Sequence, residues 1–326
     1  MVQNIKYSII IPVYNEEQVI HQTYQRLKTV MNSTGASYEL LFVNDGSMDQ
    51  TEESLIDIRG MDETVKLLNF SRNFGHQIAI SAGMDYARGE AVVIIDADLQ
   101  DPPELILDMI EKWMEGFDVV YAKRINRKGE TFFKKKTASM FYRTLRGMTD
   151  IDIPMDTGDF RLMDRKVVDQ MKNIREKNRF VRGLASWVGF RQTAIEYERE
   201  ERFAGETKYP LKKMLKLSLD GITSFSYKPL KLAGYTGFLL SVVGFIYMFT
   251  VLYLKIFTKQ TVSGWSSLII IQLVFSGFML MILGVIGEYI GRIYDETKDR
   301  PLYIVRDSYG LQHSKRKATK SIGHYE

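Results

Sequence analysis

The sequence contains no cysteine, which excludes disulfides, thiolate nucleophiles, iron–sulfur clusters and Cys-rich zinc sites together and fits a chain facing a reducing compartment. Histidine is scarce as well. Only His21, His76, His313 and His324 are present, and they are scattered. A zinc hydrolase built on paired histidines is therefore not expected, and a metal would be a hard ion held by carboxylates. Charge of one sign is also missing: 44 Lys+Arg against 40 Asp+Glu leaves +4, too small a balance to mark a nucleic-acid binder. There is no internal repeat and no low-complexity tract. The opening MVQNIKYSIIIPVYNEE has a short apolar run broken by Pro12 and no long hydrophobic region, so no signal peptide is expected.

What is present is 326 residues, 45% hydrophobic and 26% charged, enough for one large or two modest domains with a real core. Those averages hide two uncharged runs, Leu232–Leu254 and Ser266–Gly287, each long enough to cross a hydrocarbon layer of about 30 Å. A pair of buried core helices is the other reading of such runs; their length, the lack of a polar face, and the glycine and aromatic content favour membrane helices. The linker between them carries two lysines, while both outer flanks are rich in Lys and Arg. By the positive-inside rule both ends are then cytoplasmic and the hairpin turns on the outer side. Just before the first run, Tyr209–Tyr227 puts Leu211, Leu215, Leu219 (or Ser218), Ile222 and Phe225 on one stripe, with Lys212, Lys213 and Lys216 elsewhere. That pattern suits a helix lying in the membrane interface, or an amphipathic helix packed on the soluble part.

The first 200 residues alternate short apolar runs with helical patterns. Tyr7–Val13, Leu40–Asn44, Lys66–Phe70 and Ala91–Asp96 read as strands; Glu16–Met31, Gln50–Arg59 and His76–Tyr86 read as helices. Such alternation predicts an α/β fold, a mostly parallel sheet with helices on both faces. Ligands of these sheets sit beyond the carboxyl ends of the strands, so Pro12–Glu17, Asn44–Ser47, Ser71–Asn73 and Asp96–Gln100 are the stretches to read. In an extended segment Asp96 and Asp98 point the same way, with Gln100 following. Two carboxylates on one side suit Mg²⁺ or Mn²⁺ on a substrate diphosphate, although Asp-rich strand ends also serve as plain turns and caps. The neighbouring Val43–Ser47 puts an acid before a Gly-Ser turn, where it could hydrogen-bond a ribose or base.

The segments SIIIPVYNEE (Ser8–Glu17), VNDGS (Val43–Ser47), SRNFGHQIAISAG (Ser71–Gly83), DADLQDPPE (Asp96–Glu104) and TGDFRLMDR (Thr157–Arg165) resemble the family 2 glycosyltransferases of the GT-A nucleotide-sugar fold. RFAGETKY (Arg202–Tyr209) and GEYIGRIYDETKDRPLYIV (Gly287–Val305) narrow the likeness to polyprenyl-phosphate glycosyltransferases, the bactoprenol relatives of dolichyl-phosphate mannose synthase. The resemblance runs to about Val305. Together with the apolar runs, it divides the chain into an expected cytoplasmic GT-A domain at 1–208, an interfacial helix and juxtamembrane segment at 209–231, spans at 232–254 and 266–290 around an external loop at 255–265, and a cytoplasmic tail at 291–326, basic and unmatched beyond Val305.

Carried over residue by residue, the resemblance implies that Pro12, Tyr14, Asn15 and Glu17 line the base and ribose, with Asp45 a further nucleotide contact. Asp96 would face the nucleotide and sugar, Asp98 and Gln100 would hold the divalent ion, and Asp159 would lie near the reacting centre. Arg202 and Lys208 would meet the phosphates, or else supply membrane-surface charge worth about 1 kcal/mol each. From Lys123 to Arg146 there are nine basic residues and one acidic; Lys134, Lys135 and Lys136 belong either to a loop for the acceptor phosphate or to a solvated face. The processive synthases' Q-x-x-R-W motif is missing, Asn178–Phe190 reading NRFVRGLASWVGF, which favours a single transfer. The expected function is inverting transfer of glucose or N-acetylglucosamine from a UDP-sugar to undecaprenyl phosphate by a membrane-bound homo-oligomer, with a separate flippase to move the product. Transfer of mannose from GDP-mannose to a dolichol-type lipid and a non-catalytic membrane scaffold are the alternatives.

Overall fold

The computed structural model describes residues 4–125, 157–198, 226, 228–258 and 264–311. Strands β1 (Tyr7–Val13), β2 (Tyr38–Asn44), β3 (Val65–Phe70) and β4 (Ala91–Ile94) alternate with helices α1 (Ile20–Ser33), α2 (Thr51–Met61) and α3 (His76–Tyr86). After them come α4 (Leu105–Met114), β5 (Val119–Arg124), β6 (Thr157–Asp164), α5 (Arg165–Asn173), α6 (Val181–Trp187) and β7 (Gln192–Tyr197). Two long helices, α7 (Lys228–Tyr253) and α8 (Trp265–Thr297), precede a last strand β8 (Val305–Tyr309).

The eight strands form one sheet in the order β7-β5-β6-β4-β1-β2-β3-β8. The central four are parallel, as the alternating pattern predicts. The sheet is nevertheless mixed, because β6 runs antiparallel to both β4 and β5 and β8 antiparallel to β3. Successive residues of β1 face opposite ways: Ile9 and Ile11 meet α1, α2 and α4 through Ile20, Leu27, Leu55 and Met109, while Ile10 meets α3, α5 and α6 through Ala79, Val167 and Leu184. Burial on both faces is why these strands read as continuous apolar runs rather than as an alternation.

The start of α1 and the end of β4 depart from the sequence reading, each for a local reason. Helix α1 starts at Ile20, not Glu16, because the amides of Glu16 and Glu17 donate to Thr51 Oγ1 (2.8 Å) and Asp49 Oδ2 (3.2 Å) of the next loop. Strand β4 ends at Ile94, not Asp96, because the chain turns: Asp98 Oδ1 accepts from the Gln100 amide (3.2 Å) and Leu99 sits at φ 57°.

Two segments of the long helices, Leu230–Tyr253 (mean hydropathy 1.8) and Ile271–Thr297 (2.0), are long and apolar enough to cross a membrane, and none of either is buried by the protein. Phe238, Leu239 and Phe245 are each at least 60% exposed. An apolar surface of that extent needs lipid or protein around it. The structure adds secondary structure beyond residue 290, where the second span and the tail are expected to meet. Helix α8 continues to Thr297, and Val305–Tyr309 returns to pair with Leu67–Phe70 at the sheet edge. The pairing went unread because β8, VRDSY, carries two charges and has no apolar alternation.

Helix α3 lies close on β1 because Gly83 has no side chain; a Cβ there would fall 2.3 Å from Ile10 Cγ2. Gly83→Val should overpack this contact and cost about 1–3 kcal/mol, read as a lowered unfolding midpoint of the detergent-solubilised protein, whereas Gly60→Ala, with open space around the glycine, should not lower it.

Candidate active site

Strand β1 lies between β2 and β4, and the chain reverses its direction of travel across the sheet there. The carboxyl ends of β1 and β4 therefore open the crevice at which such sheets bind ligands. After β4, burial alternates: Ile95, Ala97 and Leu99 are buried while Asp96, Asp98 and Gln100 are half-buried. The three polar residues thus share the open side.

Asp159 stands on β6, beside β4, and is buried. Its carboxylate is surrounded by donors. Arg182 of α6 gives Nε to Oδ1 (2.9 Å) and Nη2 to Oδ2 (3.1 Å), the paired geometry of a strong charge-assisted contact. Gln77 of α3 gives Nε2 to Oδ2 (3.0 Å) and accepts from the Val181 amide (2.9 Å), so it links Asp159 to the start of α6. His76 Nε2 lies 3.4 Å from Asp159 Oδ2 and 3.4 Å from Asp96 Oδ1. Arg161, also buried, donates to the carbonyls of Asp159 (3.3 Å) and Gly158 (3.0 Å).

The electrostatics follow from this alternation of sign. Burial works against a charge on His76, but Asp96 and Asp159 outweigh it and push its pKa up to about 9. Burial pushes Asp96 up to about 6, with His76 pulling the other way. Asp96 is 30% exposed along its side chain, yet its Oδ1 is enclosed and makes no hydrogen bond among the described residues. Burial would also raise Asp159, but Arg182 and His76 hold it well below the usual carboxylate range. A carboxylate so fully engaged is a poor proton acceptor.

The residues expected on the nucleotide side lie at the carboxyl ends of β1 and β2. Pro12 is buried within β1; Tyr14 and Asn15 are half-buried in the loop after it, and Glu17 is exposed. Asn15, at φ 53°, donates its amide to Ser47 Oγ (3.0 Å) and accepts from the Met48 amide (2.8 Å). Glu17 Oε2 accepts from the Gln50 amide (3.0 Å). These bonds brace the loops after β1 and β2 against each other. Asp45 is buried and accepts from the amides of Phe74 (2.6 Å) and Gly75 (2.9 Å), so it shapes the loop between β3 and α3. Arg202, Lys208, Lys134, Lys135, Lys136 and the expected interfacial segment up to Phe225 lie outside the described residues, while Lys228–Lys231 of that segment open α7.

No group of three or more metal-binding side chains occurs among the described residues. Asp98 and Gln100 nonetheless offer hard oxygen donors at a half-open turn, which fits a cation shared with substrate oxygens better than one caged by protein.

Residues 8–172 match the family described as Glycosyl transferase family 2. A protein of Bacillus subtilis (strain 168), "Uncharacterized glycosyltransferase YkcC", is 72% identical over 97% of this chain and 98% of its own length. The chain belongs to the family 2 glycosyltransferases. The "Prophage bactoprenol glucosyl transferase homolog" of Escherichia coli (strain K12) is 42% identical over 93% of this chain and 99% of that protein. The "SfII prophage-derived bactoprenol glucosyl transferase" of Shigella flexneri is 41% identical over 94% and 99%.

In this glycosyltransferase the sequence reading missed His76, Gln77 and Arg182. The His-Gln pair stands inside the motif SRNFGHQIAISAG, where its position at the first turn of a helix beyond a strand end was the available signal. Nothing local marks Arg182, whose role depends on α6 folding back to β6.

The raised pKa of His76 sets a pH window. A group charged more readily folded than unfolded contributes fully below its ordinary value of 6.5 and loses that contribution as pH rises through about 9. The unfolding midpoint of the wild type should therefore exceed that of His76→Gln most at pH 6.5, and the gap should narrow by pH 9.5, as differential scanning calorimetry on both proteins would show.

Proposed function

We propose that the protein transfers a single hexose, glucose or N-acetylglucosamine, from a UDP-sugar to undecaprenyl phosphate at the cytoplasmic membrane face, with inversion at the anomeric carbon. The observation that carries this reading is the extent of the likeness to proteins named bactoprenol glucosyl transferase. It covers 93% of this chain and 99% of the Escherichia coli protein, so the membrane helices lie inside the match along with the sheet. A catalytic sheet joined to two apolar helices suits an acceptor whose phosphate sits among lipid headgroups.

The chemistry needs negative charge neutralised on the departing diphosphate. Asp98 and Gln100 would hold the Mg²⁺ or Mn²⁺, whose contribution when bound is charge neutralisation and orientation there. Tyr14, Asn15, Glu17 and Asp45, with Pro12 behind them, would form the nucleotide side, and Asp96 would face the sugar. Asp159, saturated with donors, orients its neighbours and does not take a proton. No base is needed, because a phosphate monoester has a second pKa of roughly 6 and is largely an oxyanion at pH 7. Arg202 and Lys208 would meet the acceptor phosphate. Lys134–Lys136 would draw it from the leaflet, each cation near anionic lipid contributing about 1 kcal/mol. Two spans leave passage of the product across the membrane to a separate flippase, and their exposed apolar faces suit a homo-oligomer packed through the helices.

Incubation of the purified protein with undecaprenyl phosphate, Mg²⁺ or Mn²⁺, and labelled UDP-glucose, UDP-N-acetylglucosamine or GDP-mannose in turn should put label into lipid from one UDP-sugar. EDTA should abolish this, and Asp98→Ala should lower the rate by at least about a hundredfold. Label from GDP-mannose alone would move the reading to a mannosyltransferase, and nucleotide binding without transfer would move it to a scaffold. Replacing Lys134, Lys135 and Lys136 by Gln should raise the lipid KM and leave the nucleotide-sugar KM unchanged; an equal rise in both would remove the acceptor-loop role.

A further inference from the structure

The segment that follows the second membrane helix does more than close the sheet. At its start, Lys177 donates its amide to Glu296 Oε1 (2.6 Å) and its Nζ to the Arg300 carbonyl, which fixes the end of α8 on the catalytic domain. The chain then crosses to β3. The ring of Tyr303 stacks on Phe70 with centroids 5.2 Å apart and planes at 17°, and its hydroxyl donates to Asp85 Oδ2 (2.9 Å). The Ile304 carbonyl accepts from the Ser71 amide (3.0 Å), and the ladder has an irregularity between Asn69 and Phe70, where β3 gives way to the loop.

That loop, 71–75, joins β3 to α3. Phe74 meets Phe70 edge to face at 5.6 Å and 87°, and the Arg72 guanidinium lies 4.0 Å over the Phe74 ring. The amides of Phe74 and Gly75 donate to Asp45. Gly46, at φ 71°, lets the loop approach the turn after β2, since a Cβ there would fall 2.6 Å from the Arg72 carbonyl carbon. A continuous stack therefore runs from Tyr303 through Phe70 and Phe74 to Asp45 and the start of α3, where His76 and Gln77 reach the acids of the crevice. Aromatic stacks of this kind fix geometry as well as adding energy.

We propose that Tyr303 is a positioning residue for the nucleotide: it seats the 71–75 loop and Asp45, so the segment leaving the membrane helix forms the back of the donor site. The inference rests on the reading of that loop as the nucleotide side. It makes the membrane anchor and the donor site one mechanical path, and removing the ring weakens nucleotide binding without touching the acceptor.

The test uses the full-length protein in detergent, titrated calorimetrically with UDP and separately with GDP in the presence of Mn²⁺. Tyr303→Ala should raise the nucleotide Kd about three- to tenfold, the scale of one aromatic pair, and raise the donor KM in proportion while the lipid KM stays constant. Tyr303→Phe, which keeps the stack and drops only the hydroxyl, should restore most of the affinity. Hydrogen exchange should quicken at the amides of Ser71, Phe74 and Gly75. If Tyr303→Ala does not fold, Tyr303→Leu keeps apolar contact without a ring, and the same rise in Kd is expected of it. Unchanged Kd in a folded variant, or equal rises in both KM values, overturns the positioning role alone. A wild type that binds neither UDP nor GDP overturns it together with the proposed function.

Discussion

The carboxylate of Asp159, closed in by Arg182, His76 and Gln77, is the interaction on which the rest of the site depends. A buried charge is costly unless it is paired and hydrogen-bonded, and here one acid gathers partners from two helices on the same face of the sheet. Arg182 brings α6 onto β6, Gln77 ties α3 to the start of α6, and His76 carries the arrangement across to Asp96 on the turn after β4. Removing one partner would strand the others, so these contacts specify a single geometry rather than merely adding stability. The same saturation defines what Asp159 does: it holds Arg182 and His76 in place, while Asp96 and Asp98 stand half-buried on the open turn.

A second constraint comes from where a lipid acceptor lies. Its phosphate cannot leave the headgroup layer far behind, so an enzyme acting on it must hold its catalytic crevice near that layer. Helix α8 and its return strand β8 supply such a hold. The helix emerges against Lys177, the chain crosses over Phe70, and β8 completes the sheet beyond β3. The outer edge of the sheet is thus contributed by residues that follow the two apolar helices in sequence, and the helical pair is an insertion into the fold more than an appendage to it.

Much of this was legible in the residues. The parallel core and the helix His76–Tyr86 followed from periodicity, and the two long apolar helices from uninterrupted apolar length. The acidic turn Asp96–Gln100 was read from a period of two, and its alternating burial persists even though β4 stops at Ile94. What could not be read depends on distant parts of the chain. Strand β6 is antiparallel because it inserts between β4 and β5, and β8 pairs by edge geometry without an apolar signature. Arg182 and His76 meet Asp159 only after α6 and α3 have packed on one face of the sheet. Asn15 and Glu17 were read for nucleotide contact, and what their bonds to Met48 and Gln50 show is a brace between neighbouring loops.

The proposed reaction, a single inverting transfer to a lipid phosphate, leaves its record in the lipid product. Mass spectrometry and proton NMR of the lipid formed from an α-linked UDP-hexose should show one hexose per lipid, joined through a phosphodiester with the β configuration at its anomeric carbon. An α-linked product, more than one hexose per lipid, or free hexose with unmodified lipid phosphate would contradict the account.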